Sequence, residues 1–170
     1  KGTCYYYFPT KGSLAAAIIE QSNLRIAGAM GDIWESDAPS MHKLIAATFR
    51  FIAVTEEDPI AKVGYQLRQA HRQVSKAGAS GFGDTEVVFA SAIRRAVADG
   101  HARRGINDRE AAGTLFAALT GCRLLADTFA HNPFDRLDQA WRTLLRAIAP
   151  EDAVPALSRY VRSVARSYQK

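Results

Sequence analysis

Six prolines divide the chain into segments, and their spacing is the feature that most constrains the fold. Proline fixes the φ angle and has no amide hydrogen, so it is tolerated in the first turn of an α-helix but breaks a helix interior. The intervening segments are rich in Ala, Leu and Arg, which favour helix, and none alternates apolar and polar residues as a half-buried strand does. The sequence therefore predicts an all-α helical bundle. The prolines are Pro9, Pro39, Pro59, Pro133, Pro150 and Pro155.

Helix starts are indicated by capping side chains next to apolar, periodic segments. Asp58 followed by Pro59 is a strong start signal, because the carboxylate can accept from the first free N–H groups and proline suits the first helical position. Asn107 is expected to cap a later helix in the same way, and Ser40 or Asp37 is the candidate cap for the helix after the first.

Glycines indicate where helices end. Gly100 is expected to close one helix, because glycine adopts the left-handed conformation of a helix end without strain. The glycine-rich segment 76–83 is expected to be a loop, with Asp84 or a neighbour opening the next helix. After a short helix end over residues 1–7, these signals predict helices over residues 11–34, 39–57, 59–73, 84–99, 108–131, 134–148 and 151–168.

Composition excludes several classes of protein. The 170 residues are 48% hydrophobic, which is enough for one folded domain, and no apolar run approaches the ~20 residues of a membrane span. Two cysteines, Cys4 and Cys122, cannot form a disulfide framework and fit a reducing compartment. With no leader pattern visible, a cytoplasmic location is expected.

No pattern in the sequence indicates catalysis. The carboxylates of Glu56, Glu57 and Asp58 are contiguous at a helix junction, where capping and hydration explain them better than acid–base chemistry. The four histidines lack metal-ligand spacing. We therefore expect no enzyme, no metal site and no cofactor. The histidines are His42, His71, His101 and His131.

Three consecutive tyrosines near the start form the most specific local feature. Residues 5–7 fan over about 200° of a helix at ~100° per residue, so at least one must be exposed. Exposed tyrosines beside Lys1 and Lys11 can contact phosphates and base edges, and the net charge of +5 is compatible with a polyanionic partner. From the residues alone, a tyrosine-rich hydrophobic anchor between two helices remains an equal alternative.

The string from Lys1 to Lys11 resembles the end of the helix-turn-helix of tetracycline-repressor (TetR) family regulators. Every position fits except Cys4, where the family usually has a core leucine. The resemblance implies that residues 1–12 end a DNA-binding domain, most of which would precede residue 1, and that residues 13–170 bind a ligand and dimerise. The residues that it implies contact DNA are Lys1, Gly2, Thr3, Tyr5, Tyr6 and Lys11.

Two further segments resemble actinobacterial γ-butyrolactone receptors, which are repressors that release DNA on binding small diffusible signals. These are residues 57–68, beginning Glu-Asp-Pro, and residues 117–122, with a Thr-Gly pair. Those receptors have a pocket tryptophan near the start of the helix after the flexible loop, and this chain has none there. Either Phe82 or Phe89 fills that place, or the ligand differs. A butyrolactone, a butenolide, a furan acid and the absence of any ligand remain open.

Polar residues on otherwise apolar helix faces are the ligand-binding candidates. Thr120 matches the threonine of the receptors, although a hydroxyl bonded back to its own helix is a common alternative. Gln66 and Gln21 could donate to a ligand or simply be half-exposed. We expect an apolar cavity between the helices of 39–57, 59–73, 82–99 and 108–131. The ligand-binding candidates are Thr120, Gln66, Gln21, Phe82, Phe89 and Phe116.

Small residues in segment 108–131 and an apolar stripe in 134–148 indicate a homodimer. Small side chains allow a partner helix to approach closely, and two such helices per subunit make a four-helix bundle across a two-fold axis. The apolar stripe of 151–168 docks on its own domain or on the second subunit. Packing of all three helices within one chain is the alternative.

Together these features predict a dimeric repressor that binds a palindromic operator and is released by a small hydrophobic signal. The alternative is a helical ligand-binding or scaffold module that does not bind DNA.

Overall fold

The computed structural model describes residues 10–74, 80–129 and 131–169, and within these ranges it describes all side chains except those of 71–74, 80–84 and 127. These ranges contain seven helices and no strand, which confirms the all-α class. None of the helices in these ranges has both the length and the apolar character needed to cross a membrane. The helices are α1 (Lys11–Glu35), α2 (Ser40–Glu57), α3 (Pro59–Val74), α4 (Ser80–Ala98), α5 (Asp108–Phe129), α6 (Pro133–Ile148) and α7 (Val154–Ser167).

Helix α2 forms the centre of the bundle. It packs against α1, α3, α4, α6 and α7, and ten of its eighteen residues are buried. The helices around it also pair with one another, α1 with α3, α4 with α5, and α6 with α7. Burial on nearly every side explains why α2 is apolar over most of its circumference, whereas the outer helices are amphipathic.

Local caps confirm three of the predicted helix boundaries. The Asp58 carboxylate accepts from the backbone N–H groups of Ile60 and Ala61 at 2.8 and 3.0 Å, which starts α3. These hydrogen bonds, with the one from Ala61 contributing most, lower the pKa of Asp58. Asn107 accepts from two amides of α5, and Gly100, with a φ of +75°, follows the end of α4.

The start of α2 is capped from another part of the chain. Neither Ser40 nor Asp37 acts as the predicted cap, because the N-cap position is Pro39, which has no side-chain acceptor. Instead the backbone N–H of Ser40 donates to Asp99 at 2.9 Å, directly after α4. That hydrogen bond is the main cause of the lowered pKa of Asp99. A capping carboxylate can thus come from a distant residue, which local sequence does not reveal.

Helix α4 begins earlier than predicted. Residues 80–83 were expected in a loop, with a cap near Asp84, but they are helical; residues 76–79 lie outside the described ranges. Glycine has poor helix propensity, yet a helix already held by buried residues such as Phe89 and Ile93 extends at little further cost, because each added residue closes one more hydrogen bond.

The apolar faces of α6 and α7 are buried inside the same chain. Leu137, Trp141 and Leu145 of α6, and Leu157 and Val161 of α7, are at most 1% exposed and belong to the main core. The stripe of the last helix therefore docks on its own domain, which decides between the two alternatives that the sequence left open.

Candidate ligand cavity

A cavity of about 240 Å³ lies between α1, α2, α3 and α4. It is slightly smaller than the ~300–1,000 Å³ of typical small-molecule sites, so its occupant must be small. The cavity opens between α1 and α4, because its exposed lining residues are Asn23 and Ala27 of α1 and Val88 of α4. The apolar residues of its wall are Ile26, Ala27, Met30, Ala47, Phe51, Val88 and Phe89.

Three polar side chains interrupt this apolar wall, namely Asn23, Arg68 and Thr85. Arg68 is 8% exposed. Burial lowers the pKa of its guanidinium, and Tyr65 partly opposes that shift, but an arginine remains charged at neutral pH. The cavity thus combines an apolar body with a few polar groups, as ligand sites generally do.

The helices that form this cavity differ in one respect from those expected. Helices α2, α3 and α4 contribute as predicted, but the fourth wall is the long helix α1 instead of α5. Ser22 and Ile26 of α1 are buried, and Asn23 and Met30 lie close to that inward face. Residues three and four positions apart lie on one face of a helix. Asn23, Ile26 and Met30 therefore line the cavity from the same face of α1.

The candidate ligand residues fall into different places. Phe89 is buried and lines the cavity, and Phe116 is buried in the main core. Gln21 and Gln66 are exposed and are not among the residues that line this cavity. The side chain of Phe82 lies outside the described part. The ligand-binding role of all these residues stays a prediction.

Sequence reasoning missed the three polar residues of the wall. For Arg68 a signal existed, because it follows the buried Tyr65 by three residues and therefore shares its helix face. Asn23 similarly precedes the buried Ile26 by three residues. Thr85 precedes the buried Phe89 by four residues and so shares its helix face in the same way.

Thr120 does not line this cavity, but its hydroxyl is buried and has no hydrogen-bond partner among the described residues. Thr114 and Thr128 of the same helix instead donate to the carbonyl groups of Glu110 and Leu124, at 2.9 and 2.8 Å. The back-bonded alternative for Thr120 is therefore not what the structure shows. A buried polar group without a partner is costly, and such groups are often satisfied by a ligand or water.

The consecutive acidic residues Glu56, Glu57 and Asp58, at the end of α2, form ion pairs that link α2 to neighbouring helices. Glu56 pairs with Arg123, a fully buried residue of α5 whose guanidinium also donates to the Thr55 carbonyl at 3.4 Å. These contacts account for the triplet as ion pairs and a cap. In the described ranges no three His, Cys, Asp or Glu side chains form a group that could hold a metal ion. The ion pairs of these three residues in the described ranges are Glu56–Arg123, Glu56–Lys62, Glu57–Arg50 and Asp58–Arg25.

Helices α1 and α3, which both line the cavity, are in unusually close contact. A Cβ atom built on Gly64 of α3 would lie 2.7 Å from the Ser22 hydroxyl oxygen and 3.0 Å from the Ile18 carbonyl oxygen. The Ser22 hydroxyl donates to the Ala61 carbonyl at 3.0 Å. A molecule in the cavity would therefore contact two helices that are tightly packed against each other.

Only the end of the candidate DNA-binding segment is described. Thr10 caps α1 by a reciprocal pair of hydrogen bonds with Ser13, and Lys11 is the exposed first residue of the helix. The same helix α1 thus joins this end of the chain to the cavity. The other DNA-contact candidates, Lys1, Gly2, Thr3, Tyr5 and Tyr6, lie outside the described residues.

An apolar surface patch extends along the C-terminal half of α5. Leu124, Leu125 and Phe129 are 56%, 41% and 61% exposed. Gly121 lies about one turn before Leu124, and a Cβ atom there would meet none of the described atoms within 4 Å. Large exposed apolar residues next to a small one favour contact with another protein surface.

Comparison with known proteins gives the fold a name. No protein-family model and no curated protein matches this sequence. Among solved structures, the chain is similar to a gamma-butyrolactone receptor (ArpA-like protein), with a TM-score of 0.81 and 20% identity over 98% of this chain and 80% of that one. It is also similar to the TetR family protein CprB from Streptomyces coelicolor in complex with its biological operator sequence, with a TM-score of 0.78 and 24% identity over 99% and 80%.

A third similar structure is SmeT, the repressor of the Stenotrophomonas maltophilia multidrug efflux pump SmeDEF. The TM-score is 0.73 and the identity 21%, over 89% of this chain and 75% of that one. The chain therefore has the fold of TetR-type regulators.

Proposed function

We propose that this chain is the regulatory part of a dimeric transcriptional repressor that a small hydrophobic ligand releases from a palindromic operator. One observation carries the proposal: α1 forms a wall of the cavity and begins at Lys11, directly after the segment that resembles a DNA-reading helix. In this proposal residues 1–12 end the DNA-binding domain, and residues 13–170 bind the ligand and dimerise.

The comparisons support the same function. The similar structures include a gamma-butyrolactone receptor, a repressor, and a regulator bound to its operator. A butyrolactone, a butenolide or a furan is accordingly the ligand class we propose. The cavity volume of about 240 Å³ suits a small member of these classes.

The proposed mechanism is a shift between two arrangements of α1. A ligand that contacts Ile26 and Met30 favours the arrangement in which the cavity is wide enough to hold it. Because α1 and α3 pack closely at Gly64, we expect them to move together and to displace the DNA-binding segment. Operator affinity then falls by the ratio of the ligand affinities for the two arrangements. No catalytic step is required.

Operator binding tests the proposal directly. In the protein with a complete DNA-binding domain, Tyr5→Ala and Lys11→Ala are each expected to weaken binding by ~1–3 kcal/mol. Affinity should also fall steeply with salt, and the Lys11 variant should have a shallower salt dependence because one phosphate contact is gone. A gel-shift titration against an operator selected from random palindromes measures both effects.

Arg162→Ala is the control, because Arg162 is an exposed cation of α7, far along the chain from the proposed contact segment. Unchanged affinity in both the Tyr5 and Lys11 variants would remove DNA from the function. Ligand binding without operator binding would favour the alternative of a helical binding module.

We propose that the ligand also contacts Thr120, although Thr120 is not among the residues that line the cavity. On that proposal, Thr120→Val is expected to reduce ligand-triggered operator release while leaving stability equal or slightly higher. The substitution keeps the shape of the side chain and removes a buried hydroxyl that has no partner, so the folded protein loses no hydrogen bond. Release is measured as the ligand concentration that frees half of the bound operator, and stability by thermal unfolding.

The matched control is Thr114→Val on the exposed side of the same helix, which should not alter release. A Thr120→Val protein with a normal ligand response would exclude this hydroxyl from the binding site.

Gly121→Glu is expected to convert a dimer into a monomer. We propose that the dimer forms through α5 and α6; α6 buries its apolar face internally, so its contribution would come from its exposed side. In a single chain the new side chain has open space at Gly121, so the variant should fold, but a charge buried between subunits costs several kcal/mol. Stable interfaces of this kind bury more than ~2,000 Å².

Light scattering should give near twice 18.6 kDa for the wild type and near 18.6 kDa for Gly121→Glu. Ala156→Glu, at an exposed position of α7, should remain dimeric. A wild-type chain that is monomeric at micromolar concentration would contradict the dimer.

A further inference from the structure

Arg68 places a buried positive charge in the wall of the cavity. Its side chain is 8% exposed, and it is the only charged residue among the described residues that line the cavity. The neutral groups Asn23 and Thr85 are the other polar residues there. Arg68 also makes an interaction within the protein, but a guanidinium has several N–H donors and forms stronger hydrogen bonds to a charged acceptor than to a neutral one.

We propose that the cavity selects ligands that carry a carboxylate on a short apolar body, with the carboxylate bound by Arg68. This inference rests on the proposed ligand-responsive function and narrows the ligand classes named there: a ligand with a carboxylate, such as a furan acid, is preferred to a neutral lactone or amide.

The chemistry of the two groups fits this assignment. A guanidinium has five N–H donors in a planar fork that matches the two oxygens of a carboxylate. It can therefore hold a carboxylate and still keep the interaction that Arg68 makes within the protein. A neutral amide or lactone carbonyl offers a weaker, uncharged acceptor.

The rest of the cavity explains why the ligand body should be apolar. From Arg68 on α3, the wall continues through Phe51 of α2 and Phe89 of α4 to Ile26 and Met30 of α1. A short alkyl or aromatic body against these side chains loses contact with water, which favours binding. The same body would place the ligand against α1, the helix that the proposed mechanism moves.

Three probes that share one carbon skeleton test the inference: octanoic acid, octanamide and γ-octalactone. In isothermal titration calorimetry with the full chain, the acid is expected to bind roughly tenfold more tightly than the amide or the lactone, because a charge-assisted hydrogen bond is about twice as strong as a neutral one. Equal affinities for acid and amide, or no binding of the acid, would overturn the inference.

Two substitutions at Arg68 assign the preference to this side chain. Arg68→Gln should reduce acid affinity to that of the amide and leave amide affinity unchanged, whereas Arg68→Lys should keep part of the preference. Circular dichroism tests whether each variant is folded. If Arg68→Gln is unfolded, a reduced preference of Arg68→Lys for the acid over the amide supports the inference, and an unchanged preference contradicts it. Arg162→Gln, an exposed arginine of α7, should bind all three probes as the wild type does.

The inference and the proposed function fail in different ways. A protein that releases its operator for γ-octalactone but not for octanoic acid is a ligand-responsive repressor, and the acid preference is then wrong. A protein that never binds an operator contradicts the repressor function, while the calorimetric comparison of acid and amide still decides the role of Arg68. An undiminished acid preference in Arg68→Gln would also overturn the inference.

Discussion

Replacing Trp141 with alanine is expected to lower the free energy of unfolding by about 3–5 kcal/mol. The indole is fully buried, and its Nε1–H donates to the Thr48 hydroxyl of α2 at 2.8 Å. Truncation removes the apolar contacts of the largest core side chain and leaves a cavity that close-packed neighbours fill only in part. Since small domains are stable by only ~5–15 kcal/mol, this loss would unfold a large fraction of the protein on mild heating.

Urea titration followed by circular dichroism measures the effect without relying on tryptophan fluorescence. Thr48→Val keeps the volume but removes the acceptor, so it isolates the hydrogen bond and should cost about 1–3 kcal/mol. Trp34→Ala is the matched control, because Trp34 is only partly buried at the end of α1 and should cost less. An equal decrease in the free energy of unfolding for Trp34→Ala and Trp141→Ala would contradict a special role of Trp141 in holding α6 against α2.

Replacing Gly64 with alanine is expected to destabilise the chain by about 1–3 kcal/mol, although alanine is the better helix former. The added methyl group would overlap the Ser22 side chain and approach the Ile18 carbonyl to 3.0 Å, and backbone cannot yield as a side-chain end can. Helices α1 and α3 must therefore separate. In the proposed mechanism this displacement also weakens operator binding in the absence of ligand.

Gly113→Ala in α5 is the control, because a Cβ atom there meets nothing within 4 Å and the substitution should stabilise slightly. Combining Gly64→Ala with Ser22→Gly removes the overlapping side chain, so part of the lost stability should return. Thermal unfolding and gel-shift affinity are measured on the same four proteins. If Gly64→Ala is as stable as Gly113→Ala, α1 and α3 are not tightly packed at this position.

The sequence by itself determined the helices and most of their ends. Asp58, Pro59, Gly100 and Asn107 act on amides or carbonyls within a few positions of themselves, so their effect is visible in the sequence. The apolar spacing of 134–148 and 151–168 likewise showed that each helix has one face to bury. The resemblance of Lys1 to Lys11 to a DNA-reading helix was also readable from consecutive residues.

Only the tertiary structure decided which faces meet. Asp99 caps a helix that begins 59 residues earlier, and α1, not α5, closes the cavity next to Arg68. The apolar faces of α6 and α7 pack in the core of the same chain. The Thr120 hydroxyl forms no hydrogen bond to its own helix. Hydrogen bonds within a helix connect residues at most a few positions apart, whereas packing joins surfaces from anywhere in the chain. For this reason helix positions follow from local sequence, and the cavity, its buried charge and the unpaired hydroxyl of Thr120 do not.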